Sequence, residues 1–157
     1  MGVDLSFGKA FYKSQLAANQ GLPAWGKILI SVKNGDKRGM VFIAKKLADM
    51  DFELIATKGT YKSLVSNNIK VQLVGKISEG DSRILKLIRK GKLKLVVNTT
   101  SGYSSHSDMR LIRDSAVRHG IPCITTIQGA QAAVNGIEAV AKGSLEIKAI
   151  QGYHSQG

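Results

Sequence analysis

Five short segments of this chain carry side chains suited to holding a phosphate group. They are Ser31-Val32-Lys33-Asn34-Gly35-Asp36-Lys37, Ala56-Thr57-Lys58-Gly59-Thr60, Gly75-Lys76-Ile77-Ser78-Glu79-Gly80-Asp81, Asn98-Thr99-Thr100-Ser101-Gly102 and Thr125-Thr126-Ile127-Gln128-Gly129. Each combines glycine with hydroxyl, amide or ammonium groups. Phosphate oxygens are bound by such donors and by free backbone N–H groups at helix starts. Glycine lets the backbone approach the ligand. Taken singly, each segment has a plainer reading. Thr57-Lys58-Gly59-Thr60 also suits a helix start with a threonine N-cap, and Lys37 or Lys76 alone is an ordinary surface lysine. The five segments point to phosphate chemistry only when taken together.

Other chemistries find little support. The first segment has neither G-x-G-x-x-G nor G-x-x-x-x-G-K-[ST], so it does not read as an ATP-hydrolysing loop. His106, His119 and His154 are scattered, and no His, Cys and carboxylate set has metal-ligand spacing. The expectation is no metal site and no cofactor within this chain. Cys123 falls in an apolar stretch and reads as a core residue, not a nucleophile.

The donor segments need elements that bring them together. Short apolar, β-branched runs at 27–32, 52–56, 71–74, 93–97 and 123–126 predict five strands. Between them, apolar residues at helical spacing predict helices over 36–50, 61–66, 82–90, 108–119 and 129–141. Gly120 marks the end of the fourth of these. Strands alternating with helices imply a three-layer α/β/α body around a central, mainly parallel five-stranded sheet. In such sheets ligands bind beyond the carboxyl ends of the strands. All five donor segments follow predicted strands. Residues 5–19 predict a further helix, ended by Gly21-Leu22-Pro23. We expect residues 1–22 to be a lead-in outside the main fold, 23–142 the domain and 143–157 a tail.

The chain has 157 residues, 43% apolar and 22% charged, which suits one globular domain. Lys and Arg total 23 against 11 Asp and Glu, a formal net charge of +12. That balance favours anionic partners. Aromatics are only 6%, with no basic run interleaved with rings, which argues against single-stranded nucleic acid. One cysteine excludes an intramolecular disulfide. No run of 18 apolar residues occurs, and the N-terminus lacks a signal-peptide core, so the expected location is cytoplasmic, without membrane contact.

These residues resemble a known family, the C-terminal allosteric domain of the carbamoyl-phosphate synthetase large subunit, which has the methylglyoxal-synthase-like fold. Ser6-Phe7-Gly8-Lys9-Ala10-Phe11 and Lys13-Ser14-Gln15-Leu16-Ala17-Ala18 are similar to the segment just before that domain. Ser31-Val32 with Asp36-Lys37, Ala56-Thr57-Lys58-Gly59-Thr60, Lys76 with Glu79-Gly80, Asn98-Thr99-Thr100-Ser101-Gly102, Asp108 with Ile112-Arg113, and Thr125-Thr126 continue the likeness to about residue 140. The resemblance implies a regulatory, non-catalytic module. In bacterial relatives UMP inhibits and IMP activates. Carried over, Ser31, Lys37, Thr57, Thr60, Lys76, Asn98, Thr99 and Thr100 would hold a nucleoside monophosphate. Thr125 matches a threonine linked to ornithine activation.

The resemblance further implies a parent ligase that makes carbamoyl phosphate from glutamine, bicarbonate and ATP, for pyrimidine and arginine biosynthesis. ATP and magnesium would bind its catalytic domains, which with a small glutaminase subunit would be partners of this chain. A second copy of the chain is a further partner to look for. Two departures stand out. Glu79-Gly80-Asp81-Ser82 replaces a common E-G-R-P, and Tyr103-Ser104 stands where some bacterial relatives carry basic residues. The alternative of the same fold is methylglyoxal synthase, which eliminates phosphate from dihydroxyacetone phosphate. Asp81 and Asp108 fall near that enzyme's two aspartates. Against it, Lys33 stands in the region of one of its histidines, and His106 is one position from the catalytic one. The plainer reading makes both aspartates helix N-terminal acids.

Overall fold

The computed structural model describes residues 1–99, 106–146, 148 and 151. The chain runs α1 (Phe7–Ala17), β1 (Lys27–Ser31), α2 (Lys37–Asp49), β2 (Glu53–Thr57), α3 (Lys58–Val65), β3 (Gln72–Val74), α4 (Arg83–Arg89), β4 (Leu93–Asn98), α5 (His106–Arg118), β5 (Cys123–Ile124) and α6 (Ile127–Ala141). Short 3-10 turns at Asn34–Asp36 and Ile77–Glu79 follow β1 and β3.

The five strands form one sheet in the order β3-β2-β1-β4-β5, with every pairing parallel. Parallel strands joined by helical crossovers are covered on both faces, which is why residues 28–30 of β1 and 95–97 of β4 read as unbroken apolar runs. The pleat divides them. Ile28, Ile30, Leu54, Ala56, Leu95 and Val97 pack with Met40, Ile43 and Leu47 of α2, Leu64 of α3 and Val134 and Ile137 of α6. Leu29, Ile55, Val74 and Val96 point the other way, onto Ile84 and Ile88 of α4 and Ile112 and Ala116 of α5. Ile28, Leu29 and Ile30 are all fully out of solvent. Each such side chain contributes about 1.5–3 kcal/mol of transfer free energy.

The expected architecture therefore stands, with differences at element ends. Strand β5 stops at Ile124, because Thr126 is used as the N-cap of α6. Its Oγ1 accepts the Gly129 N–H at 3.0 Å, so that helix begins at Ile127, before residue 129. Helix α3 begins at Lys58, three residues before the predicted 61. Gly120 does end α5, at φ +65°, which a glycine adopts without strain.

The segment expected to lead into the domain is packed against it. Gly8 of α1 is buried on α6, where a Cβ would lie 2.9 Å from the Asn135 carbonyl oxygen. At Gly136 a Cβ would lie 3.1 Å from the Gly8 carbonyl oxygen. The two helices cross backbone against backbone. Phe11 and Tyr12 pack onto the core, and the Tyr12 hydroxyl donates to the Leu22 carbonyl at 3.2 Å.

Candidate functional site

Consecutive strands run outward from β1 to β2 and β3 on one side, and from β4 to β5 on the other. The crossover direction thus reverses between β1 and β4, and a crevice opens beyond their carboxyl ends. Ser31 and Asn98 are paired across this switch point. The Thr99 N–H donates to the Ser31 carbonyl at 3.1 Å, and the Lys33 N–H donates to the Thr99 hydroxyl at 3.1 Å. These bonds stitch the loop after β1 to the chain leaving β4.

A cavity of about 210 Å³ lies in this crevice. Ser31 and Lys33 line it from the β1 end, Thr57 from β2, Lys76 and Ser78 from the loop after β3, Asn98 and Thr99 from β4, and Asp108 from α5. Ile77, Ile84, Met109 and Ile112 supply apolar wall.

The hydrogen-bond inventory shows which groups remain available. The Ser31 and Thr57 hydroxyls lie 2.9 Å apart and share one hydrogen bond, so one proton of the pair is left to donate. The Thr99 hydroxyl accepts from Lys33 and so keeps its own proton for a ligand. The Lys76 ammonium is loosely placed, 3.8 Å from Glu79 and more than half exposed. Asp108 accepts from the Ser78 N–H at 3.0 Å and the Ser78 hydroxyl at 2.9 Å, bracing the turn that follows Lys76. The wall therefore offers hydroxyl, amide and ammonium donors with one carboxylate, a set able to bind a phosphorylated molecule that also bears hydroxyls.

Of the residues expected from sequence, Ser31, Thr57, Lys76, Asn98 and Thr99 meet in this cavity. Thr60 does not face it. With α3 starting early, Thr60 lies in the first helical turn, 2% exposed, and its hydroxyl accepts the Val32 N–H at 3.0 Å. Thr57 precedes that helix, yet its hydroxyl makes no cap and turns to Ser31 instead. Lys37 lies outside the cavity wall, its ammonium over Gly59, 3.1 Å from where a Cβ would sit. Thr125 is exposed and also outside. Thr100 lies outside the described residues. Sequence reasoning passed over Lys33 and Ser78, although both sit inside donor segments. It used Asp108 as part of the family likeness, as an aspartate of the alternative enzyme and as a helix-start acid, and gave it no binding role.

The two aspartates of that alternative part company. Asp108 lines the cavity, whereas Asp81 does not. Asp81 accepts from the Gly75 N–H at 2.8 Å and the Arg83 N–H at 2.9 Å, and pairs with the Arg83 guanidinium at 2.6 Å. The hydrogen bonds from Arg83 hold this carboxyl far below the usual carboxylate range. A carboxylate so engaged is poorly suited to take a proton from a substrate. Cys123 is pushed up to about 11 by burial, as expected of a packed thiol.

A family model described as the MGS-like domain matches residues 39–125. The chain belongs to this family. It is 51% identical, over 94% of its length, to the carbamoyl phosphate synthase large chain, C-terminal section, of Methanocaldococcus jannaschii. It is 43% identical, over 99% of its length, to the carbamoyl phosphate synthase large chain of Archaeoglobus fulgidus. The chain spans 24% of the first relative and 15% of the second. Among solved structures, methylglyoxal synthase from Elizabethkingia anophelis superposes with a TM-score of 0.61 at 18% identity, covering 87% of this chain and 94% of that one. That likeness establishes the shared fold. The chain is thus homologous to the C-terminal MGS-like domain of carbamoyl phosphate synthase large chains. Among the described residues, no helix is long and apolar enough to cross a membrane.

Proposed function

We propose that this chain is an effector-binding regulatory domain of a carbamoyl phosphate synthase large chain, and that the crevice between β1 and β4 takes a nucleoside monophosphate such as UMP or IMP. The supporting observation is the convergence of Ser31, Thr57, Lys76, Asn98 and Thr99, from four separate strand ends, on one cavity. In this reading the ammonium groups of Lys33 and Lys76 and the free hydroxyl protons meet phosphate oxygens. Asp108 accepts from sugar hydroxyls. The catalytic domains of the parent enzyme hold ATP and magnesium and make carbamoyl phosphate from glutamine and bicarbonate, with a small glutaminase subunit as partner. The effector acts on them by binding two conformations with different affinity. Ornithine is a second effector to test, because Thr125 matches the threonine linked to it.

Calorimetric titration of the chain with UMP, IMP and ornithine tests this. The expected result is saturable binding of a nucleoside monophosphate, weakened roughly tenfold by Lys76→Ala through loss of a charge-assisted hydrogen bond. Binding of none of the three, or equal binding by Lys76→Ala, overturns the proposal.

A further inference from the structure

A second concavity lies at the far edge of the sheet. From Ser82 to Ser107 the sequence contains six cations, Arg83, Lys86, Arg89, Lys90, Lys92 and Lys94, and no acidic residue. That stretch carries half of the net charge of +12. Helix α4 and the turn after it gather four of these cations, and β1 adds Lys27, around a groove of about 330 Å³. Lys27, Arg83, Lys86, Lys90 and Lys92 line it, over a floor of Ile55, Leu73, Val74 and Leu87.

Two of these cations are partly neutralised, Lys27 by Glu53 at 3.0 Å and Arg83 by Asp81 at 2.6 Å. Lys86, Lys90 and Lys92 have no acidic partner within 4 Å among the described residues, and all three are exposed. Lys90 caps the end of α4, its N–H donating to the Lys86 carbonyl at 3.0 Å, so the two lysines follow one another on the same side. The groove also runs beside β3, whose outer side has no neighbouring strand among the described residues. Leu73 of that strand is 46% exposed. The uncompensated charge and the apolar floor thus lie together at an open sheet edge.

The character of the groove selects among anions. Its cations are lysine ammoniums on flexible stems, which tolerate variable spacing and do not fix a small anion in one geometry. Among the described residues no aromatic ring lines it, so nothing there is provided for stacking bases. An apolar floor along a free strand edge fits an extended chain whose side chains alternate. We propose that this groove docks an acidic, extended polypeptide segment along β3. Its carboxylates meet Lys86, Lys90 and Lys92 on the α4 side, and its alternate apolar side chains rest on Leu73, which the pleat turns to the other face. Lys27 and Lys92 set one end of the groove at the amino ends of β1 and β4, the groove shares no lining residue with the effector crevice, and the inference does not depend on the effector reading.

The test uses the full chain and a short fluorescein-labelled peptide alternating glutamate and leucine, followed by anisotropy at low salt. A glutamate-only peptide of equal length and a short DNA duplex serve as comparisons. The alternating peptide should bind most tightly. Lys86→Glu with Lys90→Glu should weaken it at least about tenfold, with an unchanged circular dichroism spectrum. If that reversal disturbs folding, the neutral pair Lys86→Gln with Lys90→Gln should still weaken binding several-fold. Leu73→Ser should reduce binding of the alternating peptide and leave the glutamate-only peptide unaffected. No peptide binding, affinity unchanged by the lysine variants, or a duplex bound as tightly as the peptide would each overturn the proposal.

Discussion

The hydroxyl of Thr60 accepts the backbone N–H of Val32 at 3.0 Å, with both residues almost fully buried. This bond ties the first turn of α3 to the chain leaving β1, and so sets one wall of the crevice without touching its contents. Thr60→Val keeps the shape and removes the acceptor. It should cost about 1–3 kcal/mol, the penalty for stranding a buried N–H. Thr60→Ser should retain most of the stability. Urea denaturation distinguishes the two, and a Thr60→Val protein as stable as the parent would show the bond to be dispensable.

Ser31 and Thr57 share a hydrogen bond, so their contributions to ligand binding are coupled. Ser31→Ala frees the Thr57 proton for the ligand, and Thr57→Val does the same for Ser31. Each single change should alter nucleoside monophosphate affinity only slightly, and the double change should cost more than the sum of the two. Additive single effects in a double-mutant cycle would exclude a shared donor.

The family resemblance implies Lys37 among the residues that hold the nucleoside monophosphate. The structure sets it outside the cavity wall, over Gly59. Calorimetry on Lys37→Ala should therefore give an affinity within about twofold of the parent, far smaller than the loss typical of a broken charge-assisted bond. A large loss would mean that Lys37 reaches the ligand after all.

Gly8→Ala adds the better helix former, which in an exposed helix would stabilise by about 1 kcal/mol. Here the new methyl meets the Asn135 carbonyl oxygen at 2.9 Å and the Ala139 methyl at 3.1 Å. We expect net destabilisation of about 1–3 kcal/mol by overpacking, together with faster proteolytic removal of residues 1–22. A stability gain on thermal melting would refute the tight crossing.

Glu138 receives the Lys142 ammonium at 2.7 Å and the Lys46 ammonium at 2.8 Å, bridging α6 to α2. These hydrogen bonds, Lys142 first and then Lys46, hold its pKa down from the ordinary 4.5 to about 2. A depressed carboxyl contributes stability that is whole above 4.5 and disappears as the pH falls toward 2. Glu138→Gln should therefore be less stable than the parent at neutral pH, with the gap closing in acid. A gap that stays constant between neutral pH and pH 2 would contradict the assigned role.

Much of the fold was legible because two periods are plain in the chain. Ile28 and Leu29 alternate across the sheet, while Ile84 and Ile88 repeat at one helical turn. The rule that ligands gather at strand carboxyl ends points to the edge where Ser31, Thr57, Lys76, Asn98 and Thr99 line one cavity. It could not say which way each side chain turns. Moving the start of α3 back to Lys58 rotated Thr60 into the core, and capping of α6 by Thr126 left Thr125 outside. Asp81 and Asp108 looked equivalent in sequence, but only the geometry shows that Arg83 occupies one of them. The function of Gly8 was hidden for a similar reason. A glycine inside a helical pattern says nothing about what lies against it.

The crossing of α1 and α6 has a mechanical consequence. Where Gly8 meets the backbone at Asn135 and Gly136, no side-chain rotamers stand between the helices to absorb a change in angle. The joint behaves as a bolt and not as a hinge. Any displacement of α1 must carry α6 with it and, through Thr126, reach the end of β5 and the margin of the sheet.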